Sequence, residues 1–472
     1  MGAVAEGVIT LVSSVAWMAI EPGAVAAGEA SHDSVSQDAA SEADSLGVSD
    51  EVIPLAELPE RPRPLLELGN GFLEPARISE GWVLPTGAVW QPSLLVWGTG
   101  RSALQAETGK GLDRAEWANR LDLFGQLAFT PTERVVVSLE PFQGGSEYTG
   151  YRFGLDGAGS EFVSDFNFSP DTIFFEGDFG EMFPRLDRRV GWPLDLGFMV
   201  GRVPVNFQDG FLVDDRMTAF GLVQNSLLAE GTSNFRISFV GAWDGVHRGD
   251  NSSGGDSVLA GLFTEFDRAE TTWAVDAVYV NGEQSADGVF GGVSAIRRIR
   301  GRWNLTTRLL GSLAVNESSD PVVEDGLLGV LGFSFAPTGT HDVVYLNAVA
   351  AAGHYTAASR GADRGGPLGR VGILFEAPGI GSIGAPLAND ADHVFGGALG
   401  TQLFFNHGRT QLVLEVGGRG QTDSSRARAG GAGLRLQQAL GRRFILRLDG
   451  YGGYERGLGG FVGGRTEFVV KF

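Results

Sequence analysis

Ionisable and amide side chains recur at alternate positions through most of the chain beyond residue 90. In WANRLDLFGQLAF (117–129) they are Arg120, Asp122 and Gln126, and in WNLTTRLLGSLAV (303–315) Arg308. TQLVLEVGGR (410–419) carries Gln411, Glu415 and Arg419, and RFILRLDGYGGY (443–454) carries Arg447 and Asp449. Glu140, Arg202, Arg236, Asp244, Asp276, Arg435 and Glu467 occupy comparable positions in other stretches. Charges of both signs lining a wet passage set up a transverse field that orients polar solutes in a constriction. The plainer reading of any one of them is a paired charge on a hydrated or plugged wall.

Covalent chemistry finds no support. No nucleophile–base constellation is present. His247, His354 and His393 fall on or near long connections and His341 and His407 in short turns, with no i, i+4 pair and no metal spacing. DGFLVDD (209–215) and DNSSGGD (250–256) offer oxygen ligands but match no calcium-loop pattern, so they read as solvated loops. No glycine-rich stretch follows a strand into a helix, as a phosphate loop must. No catalytic residue, metal or cofactor is therefore assigned.

The elements that must position these side chains are strands. Around the polar positions the intervening residues are apolar: Trp117, Leu121, Leu123 and Leu127 in the first stretch, Leu412, Leu414 and Val416 in the third. That is the period of two of a half-buried strand. A soluble sandwich would pack the apolar face on a second sheet; a membrane barrel turns it to lipid and encloses the polar face. Three features choose the barrel. The strands run about 10–14 residues, against about 5–6 in soluble proteins and about 9–11 for a membrane crossing. Glycine alternates with large apolar residues on the presumed outer face, and Trp117, Trp273, Trp303 and Tyr454 stand near strand ends, as interfacial girdles do. Connections alternate between short (130–133, 229–234, 267–270, 300–302, 337–341, 406–408, 440–442) and long (107–115, 246–257, 317–326, 422–427), the asymmetry of the two barrel rims.

The fold expected is all-β, a transmembrane antiparallel up-and-down barrel of about 18 strands (16–18), an even number with both termini on the short-turn rim. Strands are placed near 92–105, 116–130, 134–143, 170–183, 194–208, 217–229, 235–246, 256–267, 271–282, 289–299, 302–316, 326–336, 342–356, 394–405, 410–421, 428–438, 443–454 and 461–472. LGRVGILFEAP (368–378) looks strand-like but breaks the parity, so 357–393 is assigned to one long outer loop, with a second at 144–169; either is free to fold inward. Arg202 departs from the alternation of Phe198 and Val200, which predicts a bulge.

Composition agrees. The chain has 472 residues, 72 of them glycine, no cysteine and net charge −21. Disulfides and thiolate metals are excluded. Residues 1–80 hold 14 acidic and 3 basic residues, leaving 43 and 33 beyond, so no basic face is offered to nucleic acid. VITLVSSVAWMAI (8–20) followed by Ala24-Val25-Ala26 reads as a signal peptide over 1–26, although it lacks a basic n-region. Residues 27–89 read as a flexible acidic, Pro-rich periplasmic tail, and 90–472 as the barrel.

The chain ends RTEFVVKF, with Phe468, Val470 and Phe472 on one side of the last strand. This resembles the C-terminal signal of bacterial outer-membrane proteins, and residues 90–472 resemble porin-like barrels. In that family the signal is read by the barrel-assembly machinery. The resemblance implies a bacterial outer-membrane location, with lipid, the assembly machinery and small hydrophilic solutes as partners, as a monomer or trimer. Passive or weakly selective diffusion is the function expected; about 16–18 strands leave an aqueous pore. The alternative is a non-conducting structural or adhesion barrel with a loop-plugged lumen. A barrel enzyme ranks last, and a transporter of about 22 strands with a folded plug does not fit the short tail.

Overall fold

The structure, a computed structural model, describes residues 62–69, 80–111, 113–144, 147–155, 159–187, 195–227, 229–282, 286–316, 322–422 and 428–472. The leader and the tail before residue 62 lie outside these.

An open sheet of long strands leaves two unpaired edges, and closure of the sheet on itself removes both. Eighteen strands form an antiparallel barrel. They are β1 (Ser93–Gly109), β2 (Arg114–Ala128), β3 (Arg134–Leu139), β4 (Pro170–Asp178), β5 (Leu196–Phe207), β6 (Val213–Leu227), β7 (Ser233–Asp244), β8 (Val258–Arg268) and β9 (Thr271–Asn281). The second half comprises β10 (Gly288–Ile299), β11 (Trp303–Ala314), β12 (Gly326–Phe335), β13 (Val343–Tyr355), β14 (Val394–Phe405), β15 (Thr410–Gln421), β16 (Arg428–Leu440), β17 (Phe444–Glu455) and β18 (Gly459–Lys471). Each pairs with the next, and β18 pairs back onto β1 from Phe461↔Gly109 to Lys471↔Thr99. All eighteen coincide with the strands expected from sequence.

The ends of several strands differ, for local reasons. β4 stops at Asp178 because that carboxylate accepts from the Gly180 and Glu181 amides (2.8 and 3.1 Å) and starts a helical turn, Phe179–Met182. β3 ends two residues before Pro141, which lacks the amide a ladder needs. β1 runs to Gly109, so the expected long connection 107–115 is a tight turn with Lys110 at φ 55° and Gly111 at φ 76°. Segment 368–378 forms no strand and belongs to the long outer connection, 356–393. The other long loop, 140–169, carries a short strand, Glu147–Phe153, that extends the wall beside the top of β2. Gly150 permits this approach, since a Cβ there would stand 1.9 Å from the Trp117 carbonyl oxygen.

The outer face is apolar and open: Leu262, Leu309, Leu313, Val416 and Val462 are about half exposed, while Phe263, Leu310, Ser312 and Glu415 beside them are buried inside. Aromatic rings gather at the short-turn rim. Trp303 meets Phe333 and Phe335 (centroids 5.0 and 4.1 Å), Phe235 meets Phe266 (5.9 Å), and Phe444 meets Phe468 (5.3 Å). Phe468 shares the outer side with Val470, and Phe472 exchanges both backbone hydrogen bonds with Gly98 (2.7 and 3.1 Å).

Part of the N-terminal segment is docked on this rim. Leu66–Leu68 pairs with Leu94–Val96 of β1, just beyond the point where the C-terminus leaves off. Trp82–Val83 and Val89–Trp90 make a small hairpin, with Trp90 stacked near Phe129 (4.8 Å) and Arg185 donating to the Pro85 carbonyl (2.7 Å).

If the outer face meets hydrocarbon, an arginine at its mid-height costs about 2–4 kcal/mol. Leu309→Arg is expected to lose that much in a denaturant titration of the bilayer-reconstituted barrel, and an unchanged midpoint would mean the face meets water.

Candidate functional site

The barrel interior has two unlike sides. On one, the outer connections 208–212 and 356–393 fold inward and pack against the wall. Phe211, Leu212, Leu368, Leu374, Phe375 and Leu387 are buried in one apolar cluster, mostly with wall residues of β5 to β13 such as Met217, Leu259 and Leu328, and continuing to Val394, Ala398 and Ala429. Hydrogen bonds hold 208–212 in place: the Ala358 amide of the long loop donates to the Leu212 carbonyl (2.9 Å), and Tyr355 Oη at the end of β13 to the Phe211 carbonyl (2.9 Å). Ser359–Arg360 pairs in parallel with Val213–Asp214. Burial lowers the Arg360 pKa to about 10, and its guanidinium is held by the Gly210 and Gly365 carbonyls (2.5 and 2.8 Å).

The other side, β15 to β18 and β1 to β3, is polar. Glu467, fully buried, accepts from Arg101 (2.6 Å) and lies near Arg465 (3.4 Å) and Arg447 (3.5 Å). Asp449 bridges Arg435 (3.0 Å) and Arg465. A second knot joins Arg120 to Asp122 (2.8 Å) and Glu140 (2.9 Å), with Arg216 also on Glu140 (2.8 Å).

Loop 356–393 crosses from one side to the other and is latched to the arginine wall. The Pro378 carbonyl accepts from Arg101 (3.0 Å), and the Gly379 carbonyl from Arg101 (3.3 Å) and Arg120 (3.2 Å). Glu376 pairs with Arg435 (2.9 Å), Asp390 takes both arms of Arg419 (2.7 and 3.0 Å), and Asp363 stands 3.8 Å from Arg120. Glu415 receives the Ile373 and Leu374 amides (3.0 and 2.9 Å), and Glu116 receives Ser382. Burial by itself would raise the loop carboxyls, but the arginines overcome it. Arg435 holds Glu376 below its usual range, Arg419 holds Asp390 there, and Arg364, Arg216 and Arg120 depress Asp363 strongly. Between residues 373–386 of this loop and β16 to β18 lies a narrow cleft of about 30 Å³, lined by Glu376, Arg435, Asp449, Tyr451 and Arg465 together with Leu374, Ile383 and Leu434.

Most residues chosen from sequence face inward. Arg120, Asp122 and Glu140 meet in one knot, and Arg435, Arg447, Asp449 and Glu467 in the other. Gln411 is the middle of a ladder: Arg447 donates to Gln437 (2.9 Å), Gln437 to Gln411 (2.6 Å) and Gln411 to Gln402 (3.1 Å). Gln126 faces inward opposite Leu95. Arg236 pairs with Glu265 (3.0 Å), Asp276 accepts from Gln208 (2.6 Å), and Arg308 meets Asp209 and lies over the Phe211 ring (5.7 Å).

Two do not. Arg202 sits on the side of exposed Val200, opposite buried Met199 and Val203, and donates to the Asp171 carbonyl (3.0 Å). The bulge expected there is absent, since pairing with β6 runs unbroken from Leu196 to Phe207. Asp244 is turned outward by a bulge that alternation did not reveal. Ala219 pairs with Ala242 but Thr218 with Asp244, so Trp243 is the extra residue and the parity flips; Asp244 accepts from Thr218 Oγ1 (3.0 Å) at the surface. Arg101, Gln105, Arg216 and Arg465 went unselected, as did the loop carboxylates Asp363, Glu376 and Asp390. Arg101 and Arg465 share the parity of their inward neighbours Ala103 and Glu467, which was the signal available.

No protein-family model matches the chain, and no curated protein is similar to it. Solved structures are. OccK2 (OpdF) of Pseudomonas aeruginosa superposes with a TM-score of 0.53 at 11% identity, over 80% of this chain and 97% of that one. OpdK of the same organism, solved with vanillate, gives 0.51 at 11%, over 80% and 98%. OccK2 has also been solved with glucuronate, again at 0.53, 11%, and 80% and 98%. The chain has the fold of these outer-membrane barrels.

Glu467→Gln leaves three arginines facing one fewer charge, and is expected to destabilise the barrel by about 3–5 kcal/mol, the cost of breaking a buried ionic network from one side; a denaturant midpoint in detergent reads this. Because the loop carboxyls are depressed in the docked state, their contribution to docking is complete above the ordinary carboxyl value of 4.5 and is lost as pH falls through their lowered values. Protease nicking within 363–390 should therefore rise on acidification and, at neutral pH, in Glu376→Gln.

Proposed function

We propose that the protein is a porin-like channel of the bacterial outer membrane that passes small hydrophilic solutes by diffusion through its charged interior. The observation that carries this is the lumen of a closed eighteen-strand barrel with a loop fixed across it, an arginine-rich wall facing the loop, and a narrow cleft between them lined by Glu376, Arg435, Asp449 and Arg465. Arg101, Arg435, Arg447 and Arg465 outnumber Glu376, Asp449 and Glu467 around that passage. The excess favours anionic solutes, and fixed charges of both signs on opposite sides orient a polar solute as it passes. Diffusion down a gradient needs neither nucleotide nor redox group.

The apolar packing of 208–212 and 356–393 favours the second reading to this extent: it fills one side of the barrel, as a plugged, non-conducting wall would. Planar-bilayer recording of the purified barrel separates the two. Stepwise openings with anion preference are expected, and Arg447→Gln should shift the reversal potential in a salt gradient toward cations. A folded barrel that stays electrically silent would support the structural role instead.

A further inference from the structure

The channel reading leaves one charged feature unused. Residues 297–302 read RRIRGR, four arginines in six positions of an acidic chain, and they fall at the short-turn rim between β10 and β11. Two strands away, β8 ends in Arg268.

The register places these groups together. Arg268 pairs with Thr271, Thr271 with Arg297, and Arg297 with Leu305. Directly opposed residues of antiparallel strands project on the same side of a sheet. That side is the outer one, because Leu262, Val293 and Leu309 share its parity and are exposed. Arg268 and Arg297 are themselves exposed, on strands roughly 10 Å apart. One step nearer mid-membrane, Phe266 and Trp273 pair across β8 and β9 on the same face. The carboxylate within reach is Glu270, 3.5 Å from Arg297 and largely exposed. The row is thus basic at the rim, carries a hydroxyl at its centre and turns aromatic and aliphatic toward the membrane interior. Arginine on a lipid-facing wall is tolerated where its head reaches the polar boundary while its stem stays in hydrocarbon.

We propose that Arg268, Thr271 and Arg297, joined by Arg300 at the turn, form a binding site for the phosphate of an anionic phospholipid in the periplasmic leaflet, with its acyl chains over Trp273 and Leu305. The inference rests on the outer-membrane reading above. The two guanidinium groups straddle the phosphodiester, Thr271 Oγ1 donates to a phosphate oxygen, and the Trp273 ring packs at the level of the glycerol. A zwitterionic lipid carries the same phosphate, but its ammonium is set against the arginines. The site therefore discriminates by net headgroup charge.

Native mass spectrometry of the full chain in neutral detergent tests this, with phosphatidylglycerol and phosphatidylcholine of identical acyl chains added in turn, and with inorganic phosphate alone. Phosphatidylglycerol should be retained preferentially. Arg268→Gln and Arg297→Gln should each weaken it about fivefold, the contribution of one arginine near a charged headgroup, whereas Arg456→Gln on the opposite rim should leave it unchanged. Equal retention of the two lipids, equal loss in Arg456→Gln, or inorganic phosphate binding as tightly as the lipid would overturn the site. Heat-modifiable migration of each variant confirms that it is folded. A barrel that conducts but shows no headgroup preference refutes this inference alone, whereas a chain soluble without detergent refutes the reading beneath it.

Discussion

Hydrocarbon offers no partner to a backbone N–H or C=O, so every strand edge within it must be paired. The seam between β18 and β1 is where this requirement is met for the whole barrel. The ladder runs from Phe461 to Lys471, and Phe472 just beyond it exchanges backbone hydrogen bonds with Gly98. Below that point β1 would expose Leu94–Val96, and the strand Leu66–Leu68 covers them. At the top of β6, where β7 has already turned away, Ser359–Arg360 does the same from the inside of a loop. Pairing thus recruits one piece of chain from before the barrel and one from a loop within it.

The closed wall then sets the terms for the interior. A barrel of this size is wider than its own side chains fill, and the space is divided by two inward loops. They hold position because they bury leucine and phenylalanine against the wall, Leu374 reaching Gly417 and Gly433, and offer carbonyls and carboxylates to the arginines of β15 to β2. Each arginine on that wall is desolvated, and a buried charge without partners is costly. The loop supplies part of those partners, so the wall and the constriction are stabilised by the same contacts. The position of the loop and the stability of the barrel are consequently coupled properties here.

Much of this was legible in the chain. The alternation of WANRLDLFGQLAF or TQLVLEVGGR reports which side chains share a face, and the even strand count placed 368–378 in a loop against its own strand-like pattern. Arg120 and Asp122, or Arg447 and Asp449, followed because a charge on the lipid face is disfavoured. Alternation fails at irregularities. The extra residue at Trp243 reverses the face of Asp244 without any mark in the local pattern, and Arg202, in the middle of β5, faces outward with its guanidinium donating to the Asp171 carbonyl. The acidic loop residues were not legible either, since Asp363, Glu376 and Asp390 sit in a segment with no periodicity to orient them.

The sequence by itself determined the strands, their inward and outward faces and the parity that closes them, because each depends on a two-residue repeat and on a solvent that differs on the two sides of the wall. Only the tertiary structure decided which inward charges pair, that loop 356–393 crosses the lumen, and where its leucines and phenylalanines are buried. Those outcomes depend on residues hundreds of positions apart, such as Arg101 with Glu467 and Pro378, meeting at distances that closure alone establishes.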